Sequence, residues 1–367
     1  MSTKKDWGNR PWSVEFRPAK PALPNTLDFA VVGGGFTGLS AAARLERLAP
    51  EKSVALFEAG TLGAGASGYT GGVALAESAA GDLPGLGDVL AGYSQIMREL
   101  RVNADLALPG CYELARTAPL PDSPIRWLDS GDLCATKEVP GGTIDPGKTV
   151  AGLASAAEQA GALLFEGTNV EEARFSAKVE LQTTAGAVSA EKVLFATNAF
   201  ALELTGLQGA ATPAFTTAVM TEPLVESVLR EIGLGAGKPF YTVDLPYLWG
   251  RLFGNAVVFG CGLLFFDNWR GLNTLDIAQG EAPAVFTSLE RRVRGLHPLL
   301  RDVRFTHRWG GPICISLDWR PIFRRHPQSR NALVLGAYSG HGVAQSVYLG
   351  AWAAEVLLDR KSLPDWP

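Results

Sequence analysis

Apolar residues first gather into a pattern just after Asp28, where Phe29-Ala30-Val31-Val32 forms a short continuous run. A run of this length bounded by glycines reads as a strand covered on both faces. Gly33-Gly34-Gly35-Phe36-Thr37-Gly38 follows, and Leu39, Ala42, Ala43 and Leu45 then recur at helical spacing. Residues 53–57 form a second apolar run ending in Glu58. Together these segments predict a β–α–β unit. Further on, the pattern predicts loop over 61–92, a helix from about 93 to 116 and a broken stretch over 119–142. A helix is expected over 145–160, short strands over 162–190 and another buried strand over 193–197. Between about 205 and 304 the texture changes to alternating, aromatic-rich strands at 241–243 and 256–262. A helix comes next, with Phe286, Leu289, Val293 and Leu296 repeating on one face. The C-terminal section returns to a buried strand over 332–335, a glycine turn and a helix over 343–358. Residues 1–27, rich in Pro, Trp and Arg, read as an irregular arm outside the core.

Composition sharpens this picture in three ways. A chain of 367 residues with 47% hydrophobic content suits two domains sharing an interface. Charged residues are 19% and glycines number 42, which fits covered strands and loops that approach a ligand closely. The net charge of -4 comes from interspersed signs, with no Lys/Arg block to track a phosphate backbone, so nucleic acid is not an expected partner. Cys111, Cys134, Cys261 and Cys314 lie far apart without a C-x-x-C pair, so neither a metal site nor a disulfide framework is expected. The charge-poor stretch 331–354 is interrupted by Ser339-Gly340-His341-Gly342 and by Gln345, which favours strand–loop–helix over a transmembrane segment. No apolar run follows the first lysines, so no secretory signal is read. The expectation is a soluble, cytoplasmic protein, with peripheral contact to a membrane left open.

Gly33-x-Gly35-x-x-Gly38 stands between a predicted strand and a predicted helix, where a dinucleotide fingerprint belongs. The first glycine permits the tight turn, the second lets backbone approach a pyrophosphate, and the third brings helix and strand close. Glu58, at the end of the second strand, is placed to accept hydrogen bonds from a ribose diol. NAD and FAD both use this unit. Its position near the N-terminus, the following Gly63-Ala64-Gly65-Ala66-Ser67-Gly68 and the closing Gly-rich strand–helix unit favour FAD.

Three stretches make the resemblance specific: residues 29–42 with the fingerprint, residues 58–72, and Trp309-Gly310-Gly311-Pro312 through Pro321 followed by residues 336–343. Together they resemble the DAO-type family of FAD-dependent oxidoreductases, the group holding glycine oxidase, sarcosine oxidase and γ-glutamylputrescine oxidase. The second stretch is similar to the GASGRNGG loop of the last branch. The resemblance runs from about 28 to 358 and is thinnest in the inserted segment. It implies an α/β fold: a Rossmann-like FAD-binding domain of the glutathione-reductase type with an inserted α+β, mixed-sheet substrate domain. The expected division assigns 28–92, 145–204 and 305–367 to FAD, and 93–144 and 205–304 to substrate. By residue matching, Gly33, Gly35, Gly38 and Glu58 would hold the ADP half, with Phe36, Thr37 and Ala59 beside them. Ala66, Ser67, Gly68 and Gly72 would line the passage to the flavin, Val170 would meet the adenine side, and Thr197 and Asn198 complete the cofactor set. Gly340, His341, Gly342 and Val343 would sit at the pyrimidine end of the ring, where N–H groups stabilise negative charge.

Departures from the family pattern matter too. Tyr69 stands where the loop usually has arginine, and no histidine lies there for a histidyl–flavin bond. Ala344 occupies the place of a substrate-binding lysine of monomeric sarcosine oxidase, and no lysine lies in 256–260 for oxygen activation. Cys314 does not align with that enzyme's flavin-linking cysteine, so the resemblance implies non-covalent FAD and a substrate other than sarcosine.

In the family chemistry an amine or amino acid arrives with its nitrogen lone pair free. Hydride passes from carbon to flavin N5 and the imine is hydrolysed, electrons going on to O2 or another acceptor. The protein supplies orientation and a dry pocket. The candidate catalytic residues are His341, Arg251 and Tyr247. His341 serves either the flavin or a local hydrogen bond; Arg251 is suited to grip a carboxylate or a surface acid. Tyr69, Tyr241, Tyr247 and Trp249 form either an aromatic wall or plain core. His297, His307 and His326 have no such context. Two alternatives stand beside amine oxidation: a D-amino-acid-type dehydrogenase with a quinone acceptor, and a flavin-binding subunit without turnover.

Overall fold

The first apolar run becomes the strand Thr26–Val32, central in an eight-stranded sheet. Val54–Phe57 and then Leu163–Phe165 lie parallel on one side of it; Gly186–Phe195 and Ser329–Gly336 lie parallel on the other. Ile322–His326 closes that edge antiparallel, and Val170–Phe175 and Val179–Thr183 form a meander leading off Gly186–Phe195. This is a computed structural model, and it describes residues 5–117 and 121–366. Strands covered on both faces need two cores. On one face the helix Phe36–Leu48 packs between Pro146–Ala160 and Gly342–Leu357, over Phe29, Val31 and Leu56. On the other, Ala30, Val32 and Phe57 meet the meander. Pro146–Ala160 starts where sequence chemistry dictates, with Asp145 accepting from Lys148 N at 2.8 Å and proline in the first turn.

A second eight-stranded sheet runs in the order Phe305–Ser316, Ala211–Thr221, Ala256–Phe265, Trp249–Phe253, Phe240–Thr242, Cys111–Arg116, Asp132–Val139, Arg126–Leu128. One pair, Phe240–Thr242 with Cys111–Arg116, is parallel and the rest are antiparallel. The helix Ala282–Leu296 buries Phe286, Leu289, Val293 and Leu296 against one face. The opposite face turns toward the first sheet and its glycine turns.

Three expectations differ from what the fold shows. The helix expected over 93–116 is the shorter Val89–Glu99, capped by Asp88; Pro109-Gly110 cannot continue a helix, and Cys111–Arg116 is a strand. That helix packs on the C-terminal helix in the first core, not on the second sheet. Residues 305–316 pair with Ala211–Thr221, so this segment, grouped with the FAD-binding part from sequence, belongs by pairing to the second sheet. Among the described residues of the arm, 5–25 form no helix or strand, yet Trp7 is 1% exposed and Trp12 is 7% exposed. The charge-poor stretch 331–354 divides between the strand Ser329–Gly336 and the helix Gly342–Leu357, and no helix among the described residues is long and apolar enough to cross a membrane.

Candidate active site

A cavity of about 1180 Å³ lies between the two sheets. Small-ligand pockets span roughly 300–1,000 Å³, so this one has room for more than a small substrate. Its first end is built from backbone. Gly33 has φ +114°, and a Cβ there would sit 2.5 Å from the Ala196 carbonyl oxygen. A Cβ on Gly38 would sit 2.0 Å from the Gly33 oxygen, so only glycine lets the helix start this close to the strand. Gly35 caps the helix Phe36–Leu48 without a side-chain bond, while Ser67 Oγ accepts from Phe36 N at 2.9 Å. The open first turn and the helix dipole make an anion site. Glu58 faces the same volume with its carboxylate pinned by Gly34 N at 2.7 Å and Gly60 N at 2.8 Å. Burial pushes that carboxyl above its ordinary pKa. The residues present therefore fit an ADP moiety: a glycine cradle that a Cβ would fill, and an oriented acceptor for a ribose diol.

The other end is built from side chains. Tyr338 OH and Thr37 Oγ1 are 2.8 Å apart, tying the C-terminal glycine turn to the dinucleotide turn. His341 caps the helix Gly342–Leu357 in sequence and lines the cavity. Its Nδ1 lies 3.3 Å from the Glu77 carbonyl oxygen, which only accepts, so Nδ1 carries the proton. Burial lowers the His341 pKa, so the ring is neutral with Nε2 free to accept. Tyr69, Tyr241, Tyr247 and Trp249 line the same cavity, and Tyr241 shares Glu77 with His341. The Trp249 ring occupies the space a Cβ on Gly71 or Gly260 would need, each 2.1 Å from it. Tyr247 OH donates to Gly262 O at 3.3 Å and lies 3.1 Å from Thr216 Oγ1; burial pushes its pKa up to about 12. Tyr241 OH donates to Glu77 Oε1 at 2.6 Å, and burial, then Glu77, holds its proton on.

Of the residues expected at the cofactor, Gly38, Gly68 and Gly72 stand behind the lining and the rest face the cavity. Tyr247 and His341 also face it. Arg251 does not: it follows Trp249 on the same strand face but reaches under Gly72, its guanidinium 5.4 Å from the rings of both Trp12 and Phe253. Among the described residues its Nε and Nη2 have no hydrogen-bond partner, and burial depresses its pKa to about 10. His297, His307 and His326 lie away from the cavity. Sequence reasoning missed Lys5, Phe265 and Trp319, which line it. Phe265 and Trp319 are 62% and 50% exposed at its mouth, where no periodic pattern marks a residue. Lys5 left a faint signal, a cation two residues before a buried tryptophan.

A parallel sheet with a glycine turn under a helix N-terminus, an anchored acid on the next strand and a facing mixed sheet define a dinucleotide-dependent oxidoreductase of two-sheet design. The chain belongs to the DAO family of FAD dependent oxidoreductases, whose family model matches residues 28–356, and its cofactor is FAD. It is similar to a glycine oxidase of Geobacillus kaustophilus (strain HTA426), 27% identical over 92% of this chain and 94% of that one. It is also similar to a gamma-glutamylputrescine oxidoreductase of Escherichia coli (strain K12), 26% identical over 90% of this chain and 84% of that one. In fold it resembles the crystal structure of glycine oxidase from Geobacillus kaustophilus, with a TM-score of 0.73 at 24% identity, over 93% of this chain and 97% of that one.

Proposed function

We propose that this enzyme oxidises the C–N bond of an amine carrying an apolar body. FAD, when bound, supplies the hydride acceptor. The carrying observation is that Tyr69, Tyr241, Tyr247 and Trp249 line the same cavity as the helix N-terminus at Gly340–Gly342. Flat aromatic faces sequester an apolar body from water and also attract an ammonium group on approach. Gly340 and Gly342 bring N–H groups and a helix dipole to the cavity, suited to negative charge gained on reduction, while the His341 N–H is held by Tyr338 O at 3.0 Å. A neutral His341 leaves the substrate nitrogen free of an added cation. Excluding water and fixing orientation is the protein's share of the work.

The names of the relatives point to amines and amino acids alike. The amine reading is favoured because Arg251, the guanidinium suited to a carboxylate, lies outside the lining, and Lys5 and Glu58 are the only Lys, Arg, Asp or Glu among the described lining residues. The test is the visible absorption of the purified protein, followed anaerobically as amines and amino acids are added in turn. Flavin bands bleached by an apolar amine, more readily than by its α-carboxylated counterpart, are expected. Bands that no amine bleaches would overturn the reading, and preference for the carboxylated partner would replace amine with amino acid.

A further inference from the structure

FAD carries a diphosphate dianion, and among the described residues lining the cavity one Lys or Arg is present: Lys5, from the arm. Residues 6–9 of the arm are fixed to the loop at 275–277 and to the second-sheet strand Phe305–Ser316. Asp6 N donates to Leu275 O and Asp6 O accepts from Ile277 N; Gly310 N donates to Trp7 O, and Asn9 N to Arg308 O, all within 3.0 Å. A Cβ on Gly8 would sit 2.2 Å from Arg308 O, so the strap lies flush against that strand.

The same segment also grips the first sheet's loop. Trp12 Nε1 donates to Gly68 O at 2.8 Å, in the turn that carries Ser67 and Tyr69 into the cavity. Trp7 meets the Tyr69 ring edge-on at 5.1 Å and stacks with Phe200 at 6.3 Å, and both partners line the cavity. The Arg10 guanidinium covers the Tyr69 ring at 4.2 Å. The Lys5 ammonium lies 3.9 Å from the Trp7 ring centre, so Trp7 is the platform on which that cation is presented.

We infer that residues 5–12 are a working part of the FAD site: Lys5 supplies the cation for the diphosphate, and Trp12 holds the 66–69 turn against the cofactor. The helix N-terminus at Gly35 supplies about half a charge toward an anion, which leaves most of the dianion for a cation to balance. The inference concerns cofactor retention and stands whether the substrate is an amine or not.

Two full-length variants separate the roles. Lys5→Gln keeps the stem over Trp7 and removes the charge; Trp12→Phe keeps the aromatic packing and removes the N–H. The apoprotein of each is titrated with FAD at low and high salt, following quenching of flavin fluorescence, and its melting temperature is measured. A charge-assisted contact is worth enough that Lys5→Gln should weaken FAD binding about tenfold, with a flatter salt dependence than the parent. Loss of one neutral hydrogen bond should make Trp12→Phe about fivefold weaker at every salt concentration. Dissociation constants within about twofold of the parent for both variants would overturn the inference. So would losses that merely track a fall in apoprotein melting temperature, since the arm would then hold the fold and not the cofactor.

Discussion

The two ends of the cavity achieve fit by opposite means. At the Glu58 end, main chain meets main chain: a Cβ on Gly33, Gly38 or Gly68 would come within 2.5 Å of a carbonyl oxygen, and the Glu58 carboxylate is pinned by two backbone N–H groups. At the far end the surface is aromatic, and its backing is a side-chain network. Arg292 grips both oxygens of Asp129, at 3.0 and 2.6 Å, and donates to the carbonyls of Pro246 and Tyr247 at 2.7 and 2.8 Å. Arg116 bonds the same Asp129 and Pro246. Backbone cannot be re-sculpted without moving an element, whereas side chains can be exchanged one at a time. The first end therefore suits a fixed cofactor, and the second suits a substrate that differs among relatives.

The sharpest way to break that comparison is Gly38→Ala. Its Cβ would sit 2.0 Å from Gly33 O, and relieving the clash must shift either the helix or the turn. Overpacking costs roughly 1–3 kcal/mol, so FAD affinity should fall by up to about 100-fold. Flavin absorbance per mole of purified chain reads this directly. A variant that keeps its full complement of flavin would show the cradle to be as adaptable as the wall.

Asp129→Asn tests the far end with the next largest effect. Asp129 has a side chain 5% exposed between two guanidinium groups, and removing one member of a buried ion pair costs roughly 3–5 kcal/mol, less where the amide still bonds. Denaturant midpoints should fall by an equivalent of about 2–4 kcal/mol. Hydrogen exchange should quicken in 243–248, the loop that carries Leu245 and Tyr247, while flavin content stays at the parent's level. Flavin lost in step with the midpoint would mean that the two ends are not separable.

This division also decides how much was legible in the sequence. Glycines needed by backbone geometry announce themselves by spacing, so Gly33, Gly35, Gly38 and Glu58 were readable, as was the turn at Gly340–Gly342. The central strands were equally plain, because burial on both faces leaves an unbroken apolar run. The aromatic wall was half legible: Tyr69, Tyr241, Tyr247 and Trp249 were visible as candidates, but core and cavity demand the same residue types. Arg251 shows the limit. Its strand was expected, yet whether a guanidinium reaches the cavity or tucks under Gly72 depends on the packing of Trp12 from a distant segment. The arm was misjudged as lying outside the core for a related reason. Irregular backbone has no period, so the burial of Trp7 and Trp12 leaves no trace in the pattern.

A smaller effect lies behind the cradle, on the helix Phe36–Leu48. Burial raises the Glu46 carboxyl from 4.5 to about 7. The fold thus prefers its protonated form: the stabilising contribution is full below pH 4.5 and is lost as pH rises through about 7. Glu46→Gln should gain about 1–2 kcal/mol at pH 8 and nothing near pH 4, read from melting temperatures across pH. His341 has the opposite sign, since its pKa is lowered by burial and its contribution is lost as pH falls below 6.5. FAD affinity at pH 8 should be untouched by Glu46→Gln, because the side chain does not line the cavity. A change there would couple the helix's far side to the cofactor and blur the division.

Tyr247→Phe carries the smallest expected effect and the finest discrimination. The hydroxyl bonds Thr216 and Gly262, on the central strands of the second sheet, while Arg292 independently holds the Tyr247 carbonyl. Removing the oxygen therefore frees the tip of the ring and leaves its root in place. A net hydrogen bond is worth about 1 kcal/mol, so KM for an amine that bleaches the flavin should rise about three- to fivefold. The limiting rate of anaerobic flavin reduction should stay within about twofold, because a wall residue contributes equally to ground-state and transition-state binding. A collapse of that rate at constant KM would put the hydroxyl on the reacting atoms. The far end would then be as exacting as the glycine cradle, and the contrast between a fixed cradle and an exchangeable wall would fail.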